Sequence, residues 1–288
     1  MIRTFTYSKT TSLGFIALIV LFYAIPVARG YVLPGPYLVD MLARHLDTTQ
    51  TLLVEQRQLL FGVLQNGQEQ EIAETLRYRF PLSLRSDIST AVAQRVYIQQ
   101  GDRHVTVLDG RAVNSAANRL DFYRDLLLAR SRTHLRNRLT AAGIDIELSS
   151  LGHDGSQVVY VLGASFPDMT PAQLWVDKQR FLPVRWILYP TNAAAGVQQV
   201  EFRYLSWERL EGQLWYPKRV ECYQDRVLVR EIIVKSAHVN EPFSDALFSV
   251  EQFGQAQLQP VKKPVAESEP HDLEEVQKTI EDFKKIYR

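Results

Sequence analysis

The sequence predicts a mainly β chain with a helical lid (α+β): a large curved antiparallel sheet of about 11 strands, forming an unclosed β-barrel under two or three helices. Three observations predict it. Runs of apolar–polar alternation rich in β-branched and aromatic residues recur between residues 53 and 238. Short turn signals such as Asp109-Gly110, Asp154-Gly155 and Glu211-Gly212 join several of these runs, so neighbours pair as antiparallel hairpins. No βαβ alternation is present, which argues against a parallel sheet, and the β pattern breaks only once, from Asn118 to Ala142. There is no internal repeat of fixed period.

The elements follow in order. Leu33-Pro34-Gly35-Pro36 reads as a turn, and Leu38, Met41, Leu42 and His45-Leu46 give residues 36–48 the three- and four-residue spacing of a helix. A strand covers 53–58. In the stretch 72–80, Ile72, Glu74, Leu76, Tyr78 and Phe80 alternate with Ala73, Thr75, Arg77 and Arg79. Strands at 94–100 and 104–108 come next. The spacing of Leu120, Tyr123, Leu127 and Leu128, then His134-Leu135 and Leu139, predicts two helices or one bent helix. Strands resume at 143–149, 156–163, 173–178, 183–190, 197–207, 213–223 and 226–238, and Pro242–Val250 reads as a short helix or a closing strand.

Residues 1–30 carry Arg3 and Lys9, no acid, an apolar run from Leu13 to Ala28, and small residues Ala28 and Gly30 ahead of Tyr31. That is the layout of a cleaved secretory signal peptide. The run falls just short of the roughly 18–20 residues of a spanning helix, the alternative being an uncleaved anchor. No cysteine lies near the exit for lipid attachment. The expected localisation is periplasmic. Without the leader, 30 basic residues face 32 acidic ones, a net charge near −2 with histidines neutral, which gives no reason to expect nucleic acid. Cys222, the single cysteine, has no partner for an internal disulfide and shares a strand face with Val220. Residues 31–254 form the main domain.

The tail differs in kind. Residues 255–270 are rich in Gln, Pro and charge and read as an extended linker. Beyond it, Leu273, Val276, Ile280, Phe283 and Tyr287 make the narrow seam of an amphipathic helix over 271–288. Such a short helix is not stable alone in water. It either docks on the protein's own body or meets a partner or a second copy.

Nothing in the sequence spells catalysis. The six histidines are scattered, with no HExxH or His-x-His pair, and no CxxC or phosphate-cradling glycine loop occurs. Gly163-Ala164-Ser165-Phe166-Pro167 lacks the second glycine of a nucleophile elbow. The expectation is a non-enzyme without cofactor or metal. What stands out is apolar surface on curved sheet: Leu76, Tyr78 and Phe80; Val184, Trp186 and Leu188; Val200, Phe202 and Tyr204, each trio on one face of its strand. These residues either form the core beneath the helices or line a cavity, and a half-open barrel this wide is hard to fill with its own side chains. Leu120, Tyr123, Leu127 and Leu128 would form the lid. Arg124, Arg130, Arg132, Arg136 and Arg138 on the helices read as a solvated face or as a contact for anionic headgroups.

Taken together, the order of elements over residues 36–250 resembles the LolA/LolB-like family of lipoprotein-localisation factors. It rests on the strand Leu53-Val54-Glu55-Gln56-Arg57-Gln58, the strand ending Leu76-Arg77-Tyr78-Arg79-Phe80-Pro81, and Val105-Thr106-Val107-Leu108-Asp109-Gly110. The helix from Asp121 to Arg130, Leu174-Trp175-Val176-Asp177 leading into Pro183-Val184-Arg185-Trp186, and Asp245-Ala246-Leu247-Phe248 complete it. The resemblance implies an unclosed barrel with a helical lid, and a carrier that takes acylated lipoproteins or lipids from an inner-membrane transporter to an outer-membrane acceptor. It also implies a lid-gating arginine at Arg79 or Arg77. Two rivals remain: a periplasmic sensor of the RseB type, and a structural subunit of an envelope assembly.

Overall fold

A computed structural model describes residues 31–44, 49–62, 70–90, 93–113, 118–129, 131–189, 199–211 and 214–255. The leader, the linker after Gln255 and the C-terminal seam of Leu273, Val276, Ile280 and Phe283 lie outside the described residues. The fold belongs to one compact unit beginning at Val32.

Helix α1 (Gly35–Arg44) leads into β1 (Thr51–Leu60), followed by β2 (Gln70–Arg79), β3 (Ser83–Ser89), β4 (Gln94–Gln100), β5 (Arg103–Leu108) and β6 (Arg111–Val113). A 3₁₀ turn (Arg119–Asp121) and helices α2 (Tyr123–Leu128) and α3 (Arg132–Ala141) separate these strands from β7 (Ser149–Asp154), β8 (Gln157–Leu162), β9 (Gln173–Asp177) and β10 (Pro183–Leu188). Then come β11 (Val200–Leu210), β12 (Leu214–Gln224) and β13 (Val227–Val239), a second 3₁₀ turn (Asp245–Phe248) and α4 (Val250–Gln255).

The strands make one 13-stranded sheet in the order β6-β5-β4-β3-β2-β1-β13-β12-β11-β10-β9-β8-β7, antiparallel throughout. β6 and β7 are the two edges, so the barrel stays unclosed. The chain starts at mid-sheet, works outward to β6, and re-enters at the opposite edge with β7. Helices α2 and α3 fall in that crossing, which is why they roof one face of the sheet.

Period-two burial gives β1 and β2 one inward side, whose outer end at Leu60 and Ile72 packs with Ile88 and Ala93 in a cluster of its own. On β1 the inward residues are Leu52, Val54, Gln56, Gln58 and Leu60; on β2, Ile72, Glu74, Leu76 and Tyr78. The main core forms where this face meets Leu38 and Leu42 of α1, Leu126 and Leu127 of α2, and Leu135 and Leu139 of α3. Each buried Leu-sized side chain contributes about 1.5–3 kcal/mol. Ser131 caps α3, its hydroxyl accepting from the His134 amide at 3.2 Å. The opposite face is covered in two places. Val159, Val161, Ala164, Trp175 and Val184 cluster on β8–β10, and at the other side the C-terminal segment folds back, with Arg85 donating to the Leu247 carbonyl at 3.3 Å and Arg79 lying over the Phe248 ring at 4.6 Å.

Several expectations are corrected. There are 13 strands: β3 and β6 carry no strong alternation. Residues 143–148 are not a strand; Ile144 and Ile146 are buried in the core, and a Cβ on Gly35 would lie 2.1 Å from the Ile146 carbonyl oxygen. Leu33-Pro34-Gly35-Pro36 is therefore not a turn but the entry to α1, with Gly35 in its first turn allowing the close backbone approach. The mid-chain helical segment is two helices, and Pro242–Val250 contains the second 3₁₀ turn.

Candidate functional site: a cleft beneath the helices

Of the residues expected to line a cavity, Leu76, Tyr78, Trp186, Leu188, Val200, Phe202 and Tyr204 all lie buried in the main core. Phe80 is half-buried at its margin, its ring stacked on Tyr78 at 5.8 Å. Val184 does not join them. The pairing of β9 with β10 is irregular between Pro183 and Arg185, and Val184 packs with Trp175 and Val161 on the opposite face. A shift of one residue flips a side chain across the sheet, and strict alternation cannot anticipate it.

Much of the wall is plugged by the roof. Tyr123 and Leu127 are buried in the core, with Leu120 and Leu128 half-buried against it. The Tyr123 ring meets Phe202 at 6.4 Å, Phe202 meets Trp186 at 5.8 Å, and the Tyr204 hydroxyl donates to the Tyr123 carbonyl at 2.9 Å. The wall is not plugged throughout. Towards β10 and β11 a cavity of about 600 Å³ remains, with Trp186, Leu188 and Val200 on the sheet side, Ala172 from the approach to β9, and Phe122 and Ala142 from the helical side. Its polar rim carries Arg119, Asp125 and Arg138. That size lies within the roughly 300–1,000 Å³ of small-molecule pockets.

Towards β1–β5 the same face is polar. The Glu74 carboxylate accepts from Gln56 at 2.6 Å, Ser86 at 2.5 Å, Arg124 at 2.5 Å and Gln58, all buried. Asp121 faces three guanidinium groups: Arg230 at 2.8 Å, Arg95 at 3.4 Å and Arg124 at 3.6 Å. Burial alone would push the Asp121 carboxyl up, but Arg124, Arg230 and Arg95 hold it well below the usual carboxylate range. The alternation of β2 already places Glu74 beside Leu76; its partners are spread from Gln56 to Arg124, and no local pattern announces them. Beside this network lies a second, polar cavity of about 210 Å³, bordered by Tyr97, Gln99, His104 and Arg124. Phe122, Asp125 and Arg138 border both cavities.

The helix arginines divide. Arg124 is buried and ion-paired, not part of a solvated face. Arg132 pairs with Asp40 at 2.5 Å, Arg136 with Glu147 at 3.7 Å and Arg138 with Asp125 at 2.6 Å; Arg130 lies outside the described residues. Burial pushes the Asp125 carboxyl up, against Arg138. The arginines expected to gate the lid point elsewhere. Arg79 pairs with Asp245 of the C-terminal turn, and Arg77 with Asp87 at 2.5 Å. The guanidinium groups that tie α2 and its preceding turn to the sheet face are instead Arg95, Arg124 and Arg230, scattered over the sequence.

Cys222 is buried with Val220 in the core, and burial pushes its thiol up to about 12. Among the described residues, no group of three or more His, Cys, Asp and Glu side chains is placed to hold a metal ion, and no helix is long and apolar enough to cross a membrane.

No family model matches the sequence, and no curated protein is similar to it in sequence. Solved structures share its fold. A LolA superfamily protein from Nitrosomonas europaea aligns over 76% of this chain and 99% of its own length, at 10% identity and a TM-score of 0.53. A DUF1329 family protein from Desulfovibrio piger aligns over 76% and 99%, at 16% identity and a TM-score of 0.52. The MucA/MucB complex from Pseudomonas aeruginosa aligns over 79% of this chain and 63% of that one, at 13% identity, but its TM-score of 0.23 carries no argument.

Proposed function

We propose that this chain, which has a LolA-like fold, is a periplasmic carrier that binds acyl chains of lipids or lipoproteins beneath its helices and delivers them towards the outer membrane. The observation that carries the reading is the 600 Å³ cavity with Trp186, Leu188 and Val200 as its apolar floor. Burying a methylene is worth about 0.8 kcal/mol, so a chain of roughly 14 carbons gains on the order of 11 kcal/mol over water. A bilayer offers nearly the same gain. Such a site therefore need only match the membrane, and transfer to an acceptor follows without covalent chemistry. An inner-membrane donor and an outer-membrane acceptor are the partners this role requires, and the seam of Leu273, Val276, Ile280 and Phe283 supplies a candidate contact for one of them. The leader-like residues 1–30 support export.

The roof suits loading from one side. Helix α2 is tied to the sheet by the buried network, whereas the ion pairs of α3 at Arg132, Arg136 and Arg138 involve side chains about half exposed. Exposed pairs of this kind are worth at most about 1 kcal/mol each. Uptake of a fluorescent fatty-acyl probe by the purified protein tests the reading. Ala142→Trp, which fills the cleft from the helical side at a partly buried position, is expected to abolish uptake while far-ultraviolet circular dichroism stays native. A natively folded wild type that takes up no probe overturns the proposal.

A further inference from the structure

We propose that the outer face of β10–β12, opposite the cleft, carries a binding site for a phosphate-type oxyanion, free in solution or at the surface of a bilayer. The site is separate from the cleft and does not need the carrier reading. Its starting point is the backbone of one turn. Strands β12 and β13 are joined by two residues, Asp225 and Arg226, with Gln224 opposite Val227 and positive φ at both (46° and 71°). A two-residue hairpin of this kind favours glycine at its second position, because an L side chain is strained there. The β5–β6 hairpin makes the same turn with Asp109-Gly110. At the β12–β13 turn the chain holds an exposed arginine instead, and no acid forms an ion pair with it among the described residues. A strained residue that glycine would relieve calls for a role of its side chain.

The surroundings of Arg226 are positive. It lines a pocket of about 300 Å³ with Arg185, Arg203, Gln199, Tyr223 and Glu201, so three guanidinium groups face one carboxylate. Pairing of β10 with β11 sets Arg185 directly opposite Arg203, a like-charge cross-strand pair that destabilises a sheet. The buried Glu201 relieves it in part, pairing with both at 2.6 Å. The next acids along the strands are engaged elsewhere. Glu221 accepts from Arg219 and from the Tyr223 hydroxyl, each at 2.7 Å, and Asp225 accepts from the Gln199 amide at 2.8 Å. Asp154 acts on Arg203 but does not line the pocket. Arg185 lies over the Trp175 ring at 4.8 Å and Arg203 over the Tyr223 ring at 4.7 Å, so both guanidinium planes are held in place before a ligand arrives. The Arg203 side chain is 37% exposed, and solvent reaches it. Fixed guanidinium forks match the paired oxygens of a phosphate. An oxyanion here completes the neutralisation that Glu201 only begins.

The test uses the full chain with two probes: inorganic phosphate in isothermal titration, and co-sedimentation with phosphatidylcholine vesicles that contain or lack phosphatidate. Binding of inorganic phosphate identifies a soluble anion; sedimentation with the phosphatidate vesicles alone identifies a headgroup. Arg226→Gly removes the charge while giving the turn its favoured residue. Its urea midpoint should therefore hold or rise while binding weakens about tenfold, the worth of a hydrogen bond to a charged donor. Arg111→Gln removes an exposed arginine from the β6 edge and should leave binding unchanged. Binding of neither probe overturns the proposal. So does an equal loss in Arg226→Gly and Arg111→Gln, which would mark general surface charge in place of a site. Either failure leaves the carrier reading standing, because acyl-probe uptake by Arg226→Gly is expected to match that of the wild type.

Discussion

Two regions of one sheet face, covered by one short run of helix, have opposite characters. Towards β1–β5 the roof is fastened by charge: Glu74 collects four side-chain donors, and Asp121 sits among three arginines. Towards β10 and β11 it meets Trp186, Leu188 and Val200 across open space. A buried ion pair adds little net stability against a well-packed apolar core, yet removing one partner is costly, so its effect is to fix geometry. An apolar cleft fixes nothing and accepts whatever greasy group fits it. The difference teaches that the sheet face fastens the roof at one end and leaves room beneath it at the other.

The comparison breaks first at its strongest point. Glu74→Ala leaves Arg124 with the 3.6 Å contact to Asp121 as its ion pair, beside its hydrogen bond to the Tyr123 hydroxyl, and is expected to cost about 3–5 kcal/mol in urea denaturation; a loss below about 1 kcal/mol would mean that the polar half is no anchor. Asp121→Asn is expected to cost somewhat less, about 2–3 kcal/mol at pH 7, and its pH dependence sharpens the point. Because the folded carboxyl is held low, its contribution is complete above the ordinary carboxylate pKa near 3.9 and is lost as pH falls below that towards the depressed folded value. The stability gap between wild type and Asp121→Asn should therefore be flat from pH 7 to about 5 and narrow below about 4. Tyr204→Phe removes the donor to the Tyr123 carbonyl and should cost about 1–2 kcal/mol. Ser131→Ala unfastens only α3, at about 0.5–1 kcal/mol, and amide exchange should quicken in α3 and not in α2. Arg79→Gln, at the position that resembles a lid-gating arginine, breaks the pair with Asp245 and the contact over Phe248, so it should cost about 0.5–1 kcal/mol and leave acyl-probe uptake unchanged.

Much of the fold was legible because its signals are local. The alternation from Ile72 to Phe80 marks β2 and even assigns its helix-covered face, and Leu120 to Leu139 switch to helical spacing where the chain crosses between sheet edges. Strand β3 escaped because its covered face carries Leu84, Ser86 and Ile88, and the central serine, which donates to Glu74, erases the apolar rhythm. The run 143–149 misled for the converse reason: Ile144 and Ile146 alternate, but they pack in the core without pairing. The cleft was half legible. Trp186, Leu188 and Val200 were singled out from strand pattern alone, while the irregular pairing at β10 removed Val184 and the helices filled the space over Phe202 and Tyr204. The ionic anchor was invisible because Gln56, Glu74, Arg95, Asp121, Arg124 and Arg230 meet only after the sheet has formed.

The strand order has a consequence of its own. β1 through β6 form a meander of sequence neighbours, and so do β7 through β13, and among the described strands the two pair along β1 and β13, where Leu52 lies opposite Val239. Each meander can zip up by local hairpins, whereas that central seam pairs residues at opposite ends of the domain and carries the largest loop-closure penalty in the molecule. Contact order therefore predicts that the half-shells come together last, which φ-values low along β13 would check. Until β13 emerges and sutures them, each exposes an unpaired flank, a template for pairing with another chain.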